Sequence, residues 1–259
     1  MTLDVQSLSA RLIAAAHDRR ATTPLTDEFP DLTIEQAYSI QNAVVAARTT
    51  SGSRIIGAKL GLTSAAKQRQ MNVSEPLYGW LTDDMAIDTG EPLICKRFIQ
   101  PRCEPEVGFL LAQDLEGPQV TAANVLAATE LVFPAIDVLD SRFAGYAFRL
   151  PDVVADNSSC AAMVLGGQGV EPRGFDLRLT GCVLEKNGRL MATAAGAAVL
   201  GHPAASVAWL VRRIHARGRG LLRGQIVLSG SMTEAVPVGP GDVVTARFDR
   251  LGTVELGCT

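Results

Sequence analysis

Apolar residues recur at helical spacing twice before residue 50. Across residues 3–16, Val5, Leu8, Leu12, Ile13 and Ala16 fall on one face, which predicts an amphipathic helix. A second helix opens at Thr33-Ile34-Glu35-Gln36, a capping-box pattern with Thr33 as N-cap and Gln36 three residues on. Ala37, Ile40, Val44 and Ala47 continue it as an apolar face, and Pro24 and Pro30 mark the loop between the two helices. From Arg54 the texture changes to short apolar runs broken by Gly, Pro and Asp. These predict strands at 107–111, 131–136, 182–185, 190–192, 226–228, 243–248 and 253–256. Asn187-Gly188, between two of these runs, predicts a tight hairpin. One further helix is predicted where Val207, Leu210, Val211 and Ile214 share a face, with Pro203 near its start and Gly218 at its stop. The pattern is that of a β-rich α+β protein: a helical region over 1–53 and a β-rich domain over 54–259, expected to share one core as a continuous unit. It contains no internal repeat and no low-complexity linker.

Composition narrows the class. The chain has 259 residues, 47% hydrophobic and 20% charged, with 24 basic against 27 acidic side chains. With no basic block and no basic–aromatic stripe, nucleic acid is not an expected partner. Charges run through residues 1–20, so no secretory leader is expected there. The most apolar stretch, 192–201, is too short to span a bilayer. A cytoplasmic protein without membrane contact is expected. Five cysteines without a C-x-x-C pair argue against a disulfide framework and a structural zinc site. Cys160 reads as a small buried residue rather than a nucleophile, and His202, just before Pro203, as a helix-entry residue rather than a base.

The candidate chemistry is acidic. In Arg102-Cys103-Glu104-Pro105-Glu106-Val107-Gly108-Phe109, the two glutamates are two apart as the chain enters an apolar strand, so both point to one face. Burial and mutual repulsion make such a pair hard to ionise, and a divalent cation removes the conflict. For the pair alone, a solvated edge strand with two exposed glutamates is the better reading. Asp137, directly after the apolar run 131–136, weights the choice towards a metal, because a carboxylate there is costly unless paired or metal-bound. Hard oxygen ligands without His or Cys favour Mg²⁺ or Mn²⁺. Asp140 and Arg142 are expected to pair locally. Lys59, in Gly57-Ala58-Lys59-Leu60-Gly61, is either a snorkelling surface residue or a desolvated group facing a pocket. The polar turn at Asp156-Asn157-Ser158-Ser159 is open to a plain Asx-turn explanation.

Together these segments resemble a known family. The blocks Lys59-Leu60-Gly61-Leu62-Thr63-Ser64, Pro76-Leu77-Tyr78-Gly79, Glu104-Pro105-Glu106, 134–142, 153–158, 196–203, Pro240-Gly241-Asp242 and Leu251-Gly252-Thr253-Val254 resemble 2-hydroxypentadienoate (2-oxopent-4-enoate) hydratases and 4-oxalocrotonate decarboxylases. These belong to the fumarylacetoacetate hydrolase superfamily and act in meta-cleavage degradation of aromatics. The resemblance implies a mixed, barrel-like sheet with the site at its mouth, a homo-oligomer, and Mg²⁺ or Mn²⁺ held by Glu104, Glu106 and Asp137. The third ligand is ordinarily a glutamate, so Asp137 shortens the reach by one methylene, about 1.5 Å. It further implies Lys59 and Asp156 as catalytic residues, and substrate contacts at Leu62, Thr63, Ser64, Tyr78, Ser158 and Thr233.

Gly230-Ser231-Met232-Thr233-Glu234-Ala235-Val236-Pro237, Tyr78 and Leu184-Glu185-Lys186-Asn187-Gly188 resemble the decarboxylase branch more than the hydratase branch. The implied substrate is 2-oxohex-3-enedioate (4-oxalocrotonate), a small 2-oxo acid. Its C1 carboxylate and C2 carbonyl would meet the metal, a Lewis acid, and loss of CO₂ from C6 would leave charge on the C2 oxygen. Lys59 would stabilise that charge, with Asp156 orienting it. Hydration of 2-hydroxypenta-2,4-dienoate is the alternative. A non-catalytic subunit in complex with a paired hydratase or decarboxylase, and other 2-oxo-acid chemistry on the same fold, are further readings.

Overall fold

The computed structural model describes residues 3–64, 68, 69, 73 and 75–259. Helix α1 (Val5–Asp18) starts at Asp4, whose side chain accepts the Gln6 N–H, and stops where Arg19 turns left-handed. A short α2 (Leu25–Glu28) leads to α3 (Ile34–Thr50), where the Thr33/Gln36 capping box is formed as its sequence predicts. The chain then builds β1 (Ile55–Gly61), β2 (Leu77–Thr82), β3 (Ala86–Ile87) and β4 (Arg102–Leu111). Next come α4 (Ala122–Ala128), β5 (Thr129–Leu139), α5 (Leu150–Ala155) and β6 (Cys160–Leu165). The hairpin β7 (Gly181–Lys186) and β8 (Arg189–Ala195) turns at Asn187-Gly188, both with positive φ as a tight hairpin requires. After α6 (Pro203–His215) follow β9 (Ile226–Leu228), β10 (Val236–Pro237), β11 (Val243–Phe248) and β12 (Gly252–Gly257).

The larger sheet runs β2-β1-β9-β4-β5-β6-β3, with β10 added beside β4, and it curls into a half-barrel. It is mixed: β1 lies parallel to β9 and β3 parallel to β6, while the other pairings are antiparallel. The smaller sheet, β12-β11-β7-β8, is antiparallel throughout.

The sequence reading named no element at α2, β1, β2, β3, α4, β6 or β10, and three further elements near the site differ from it. Strand β4 starts at Arg102 rather than at Val107, so the Glu-Pro-Glu stretch is strand, not approach. Pro105 is tolerated because its carbonyl accepts Met232 N, which turns its missing N–H towards an irregular segment instead of the β5 ladder. Strand β5 runs on past Ile136 to Leu139, placing Asp137 inside it. Residues 150–155 form α5, where the sequence suggested only a polar turn after an apolar step.

One buried apolar cluster joins Leu8 and Leu12 of α1, Tyr38 and Ile40 of α3, Leu60, Val107 and Phe109 of the sheet, and Val207, Leu210, Val211 and Ile214 of α6. A second, smaller cluster contains Leu81, Met85, Ala135, Cys160, Met163 and Leu228. Register places Leu228 beside Lys59 and Met163 beside Asp137. The small cluster therefore shares the sheet face that carries the candidate site, and gives it an apolar floor.

Candidate active site

Glu104 and Glu106 project from the same face of β4, and Asp137 stands directly across from Glu104 on β5. All three are buried, Glu106 and Asp137 completely. One carboxylate oxygen from each lies within 4.8 Å of the others, a grouping able to hold a metal ion. Glu106 Oε2 accepts the Gly230 N–H at 2.6 Å, while its Oε1 is buried with no hydrogen-bond partner among the described residues. Burial first, and then Asp137, push the Glu106 carboxyl well above its ordinary range, with Lys59 opposing. An orphaned acceptor and a carboxyl driven towards neutrality are what a cation would relieve. The donor set is all oxygen, which suits Mg²⁺ or Mn²⁺. Asp137, despite its shorter side chain, remains in the cluster.

Lys59 extends from β1 towards this group and is 2% exposed, so it does not snorkel. Its Nζ lies 2.8 Å from Asp137 Oδ2 and donates to the Ser158 carbonyl at 3.1 Å, with Ser158 Oγ at 3.4 Å. Burial works against its charge, but Asp137 and then Glu106 outweigh it, and the proton is held more tightly than on an ordinary lysine. The site thus holds a fixed cation beside three carboxylates.

The acceptor for that cation comes from an unusual turn. Asn157, Ser158 and Ser159 have φ of 49°, 59° and 53°, three consecutive left-handed residues without a glycine. Such conformations cost on the order of 1–3 kcal/mol each unless the surroundings enforce them. Here they do. The Asn157 side chain clamps the backbone of Trp80, accepting its N–H at 2.8 Å and donating to its carbonyl at 2.9 Å. A Cβ on Gly79 would lie 2.3 Å from the Asn157 carbonyl oxygen, and one on Gly61 would lie 2.9 Å from Ser158 Oγ. On the other side, buried Arg142 donates through Nε to the Asp156 carboxylate and through Nη2 to the Asp156 carbonyl.

The remaining predicted residues separate. Thr63 is buried, and its side chain fills the space a Cβ on Gly230 would need. Leu62 takes a left-handed conformation just before it, and Ser64 follows half-buried at the end of this stretch. Thr233 Oγ1 donates to the Glu234 carbonyl, next to Met232, which is anchored on Pro105. Tyr78, paired with Leu60, lies on the opposite face of the sheet from Lys59 and stacks on Tyr38 of α3 with ring centroids 4.6 Å apart. Asp156 is buried with its carboxylate on Arg142 and Ser159, not on Lys59. Burial pushes that carboxyl up to about 6, against the pull of Arg142.

The expected Asp140–Arg142 pair does not form. Asp140 accepts the backbone N–H groups of Ile99 and Gln100 instead, and leaves Arg142 to Asp156. Cys160 is buried with its Sγ against Met85, and burial pushes its thiol up to about 12, as an inert small residue requires. His202 caps α6 by accepting the Ala204 N–H. Asn157, Arg142 and Gly230 went unnoticed in the sequence as parts of the site. An Asp-Asn-Ser-Ser run carries only a turn signal, and the partners of Asn157, Arg142 and Gly230 lie 77, 14 and 124 positions away along the chain.

Residues 53–257 match the family model described as fumarylacetoacetate (FAA) hydrolase C-terminal. A 2-hydroxyhexa-2,4-dienoate hydratase of Comamonas testosteroni is 39% identical over 98% of this chain and 97% of its own. A 4-oxalocrotonate decarboxylase of Pseudomonas sp. (strain CF600) is also 39% identical, over 97% of this chain and 95% of its own. The solved structure of 4-oxalocrotonate decarboxylase from Pseudomonas putida G7, complexed with magnesium and adipate, superposes with a TM-score of 0.96 at 37% identity, covering 100% of this chain and 99% of that one. With a curled mixed sheet, a buried acidic triad and full-length relatives of this kind, the chain belongs to the fumarylacetoacetate hydrolase family.

Proposed function

We propose that this lyase decarboxylates 2-oxohex-3-enedioate to 2-hydroxypenta-2,4-dienoate and CO₂ in the meta-cleavage degradation of aromatics. The observation that carries this reading is the seat of the 230–237 segment, whose residues resemble the decarboxylase branch. It borders the acidic strand: Gly230 N–H donates to Glu106, Met232 N–H to the Pro105 carbonyl, and Val236 pairs with Cys103. A segment in that position is suited to select between two substrates that share a 2-oxo-acid head.

Glu104, Glu106 and Asp137 would hold the divalent cation, which when bound supplies Lewis acidity towards the C1 carboxylate and C2 oxygen of the substrate. The C5–C6 bond breaks, CO₂ leaves, and its bonding pair moves through the conjugated carbons onto the C2 oxygen. The Lys59 ammonium stabilises that oxygen as charge develops or hands it the proton that completes the enol. Thr63, Leu62, Ser64, Ser158 and Thr233 are proposed to line the substrate, with the apolar floor excluding water from the dienolate. A homo-oligomer in the cytoplasm, associated with a paired hydratase, belongs to the same reading. A buried cationic lysine and a clustered acidic triad speak against a purely structural subunit.

Supplying the diacid and 2-hydroxypenta-2,4-dienoate separately, each with Mg²⁺, tests the assignment. Faster turnover of the diacid is expected. Rapid loss of the dienoate with no CO₂ from the diacid would make the protein a hydratase, the second reading that its relatives support.

A further inference from the structure

The Lys59 ammonium is held by two kinds of acceptor: Asp137, which belongs to the acidic triad, and the Ser158 carbonyl, which belongs to the left-handed turn. If a cation occupies the triad, Asp137 is shared with it, and Ser158 becomes the contact that fixes where the ammonium sits. What holds Ser158 in place therefore also places Lys59.

We infer that the buried pair Arg142–Asp156 is a positioning device for Lys59, acting through the 156–160 turn, and this rests on the role proposed above for Lys59. The pair is 7% and 1% exposed, too deep for a surface ion pair. Arg142 grips both ends of Asp156: Nε and the backbone N–H reach its carboxylate, and Nη2 reaches its carbonyl. The same carboxylate accepts Ser159 Oγ at 3.2 Å, on the far side of Ser158, and Nη1 reaches towards the Cys160 carbonyl at 3.5 Å. The guanidinium thus fastens the residues before and after the strained run Asn157-Ser158-Ser159. The planar fork of arginine matches this arrangement, and a lysine would not reproduce it. The hydrogen bonds of the two side chains run to one another, to Ser159 and to the Cys160 carbonyl, so their effect on turnover passes through the backbone of the turn.

A double-mutant cycle on the full-length protein loaded with Mg²⁺ reads this coupling. Arg142→Lys is expected to lower kcat about 10-fold on the turned-over substrate, with the Mg²⁺ dissociation constant from calorimetry unchanged within about 2-fold. In the Lys59→Ala background, the same Arg142→Lys change is expected to alter the residual kcat by less than about 2-fold, because the group it positions is gone. Asp156→Asn, which keeps the size of the side chain, serves as the second variant if Arg142→Lys does not fold, with the same two expectations. An equal fractional loss in both backgrounds would show a general structural role and overturn the inference, as would wild-type kcat in the single variant. Normal turnover in Lys59→Ala alone would instead overturn the role of the lysine itself, and is distinguishable because it appears without any change at Arg142.

Discussion

At the scale of single residues, the site depends on charges that the fold makes costly and then puts to use. Removing Lys59 tests this directly. Lys59→Ala is predicted to lower kcat by about 10²-fold or more, the scale of a lost electrostatic contact to developing charge. Near-normal kcat with a lowered thermal midpoint would assign the lysine to packing alone. Asp156 makes a prediction about pH. Its carboxyl is pushed up to about 6 from 3.8, burial being the main cause. A raised folded-state value means the stabilising contribution is fully present below the unfolded value and is lost as pH rises through 6. Denaturation of wild type and Asp156→Asn between pH 4 and 7 should show the wild type losing stability relative to the variant as pH rises across that range. A pH-independent difference would contradict it. Much of the triad could be read from the chain: residues two apart in a strand must share a face, which aligned Glu104 with Glu106. That Asp137 lies opposite Glu104 depends on strand register, which no local pattern carries. Arg142 was misread for a related reason. Asp140 is its near neighbour in sequence, yet backbone N–H groups some forty residues away claim that carboxylate.

At the scale of elements, helices with caps and apolar faces were the most readable. Strands β1, which carries Lys59, and β2 were among the least readable, because glycines interrupt them and weaken the strand pattern. Those glycines have steric work to do. A Cβ on Gly57 would lie 1.7 Å from the Ile226 carbonyl oxygen across the parallel β1–β9 pairing, and one on Gly79 would meet the 156–160 turn. Gly79→Ala is therefore predicted to lower stability by about 1–3 kcal/mol, the usual cost of overpacking, and to lower kcat by shifting Ser158 away from Lys59. Gly181→Ala on β7, where a Cβ meets nothing within 4 Å, serves as the control and should leave both unchanged. Equal behaviour of the two variants in thermal melts and turnover would detach the turn from the site. Strands β4 and β5 were foreseen but cut short, since the sequence reading stopped them at the charged residues. In the structure they run through, because the interior rather than solvent receives those side chains.

At the scale of the whole molecule, two sheets and the helices enclose a site in which carboxylates, a lysine and an apolar floor share one face. Among the described residues no helix is long and apolar enough to cross a membrane. The molecule is predicted to bind Mg²⁺ through the triad with measurable affinity, and Glu106→Gln should weaken that binding strongly while the fold, followed by circular dichroism, persists. Equal binding by both proteins would remove the triad as the metal site. The resemblance carried by separated sequence blocks was enough to reach the family. The choice between two reactions on one scaffold is harder to read, because both draw on the same carboxylates and the same lysine. The fate of one carbon separates the two reactions. With 2-oxohex-3-enedioate labelled with ¹³C at C6, Mg²⁺ and the wild-type protein, NMR should show the label leaving as CO₂ and bicarbonate at the rate the diacid disappears, and chelation of the metal should stop it. Label that stays in an organic product while the diacid is consumed, or release that continues unchanged without the metal, would contradict the account.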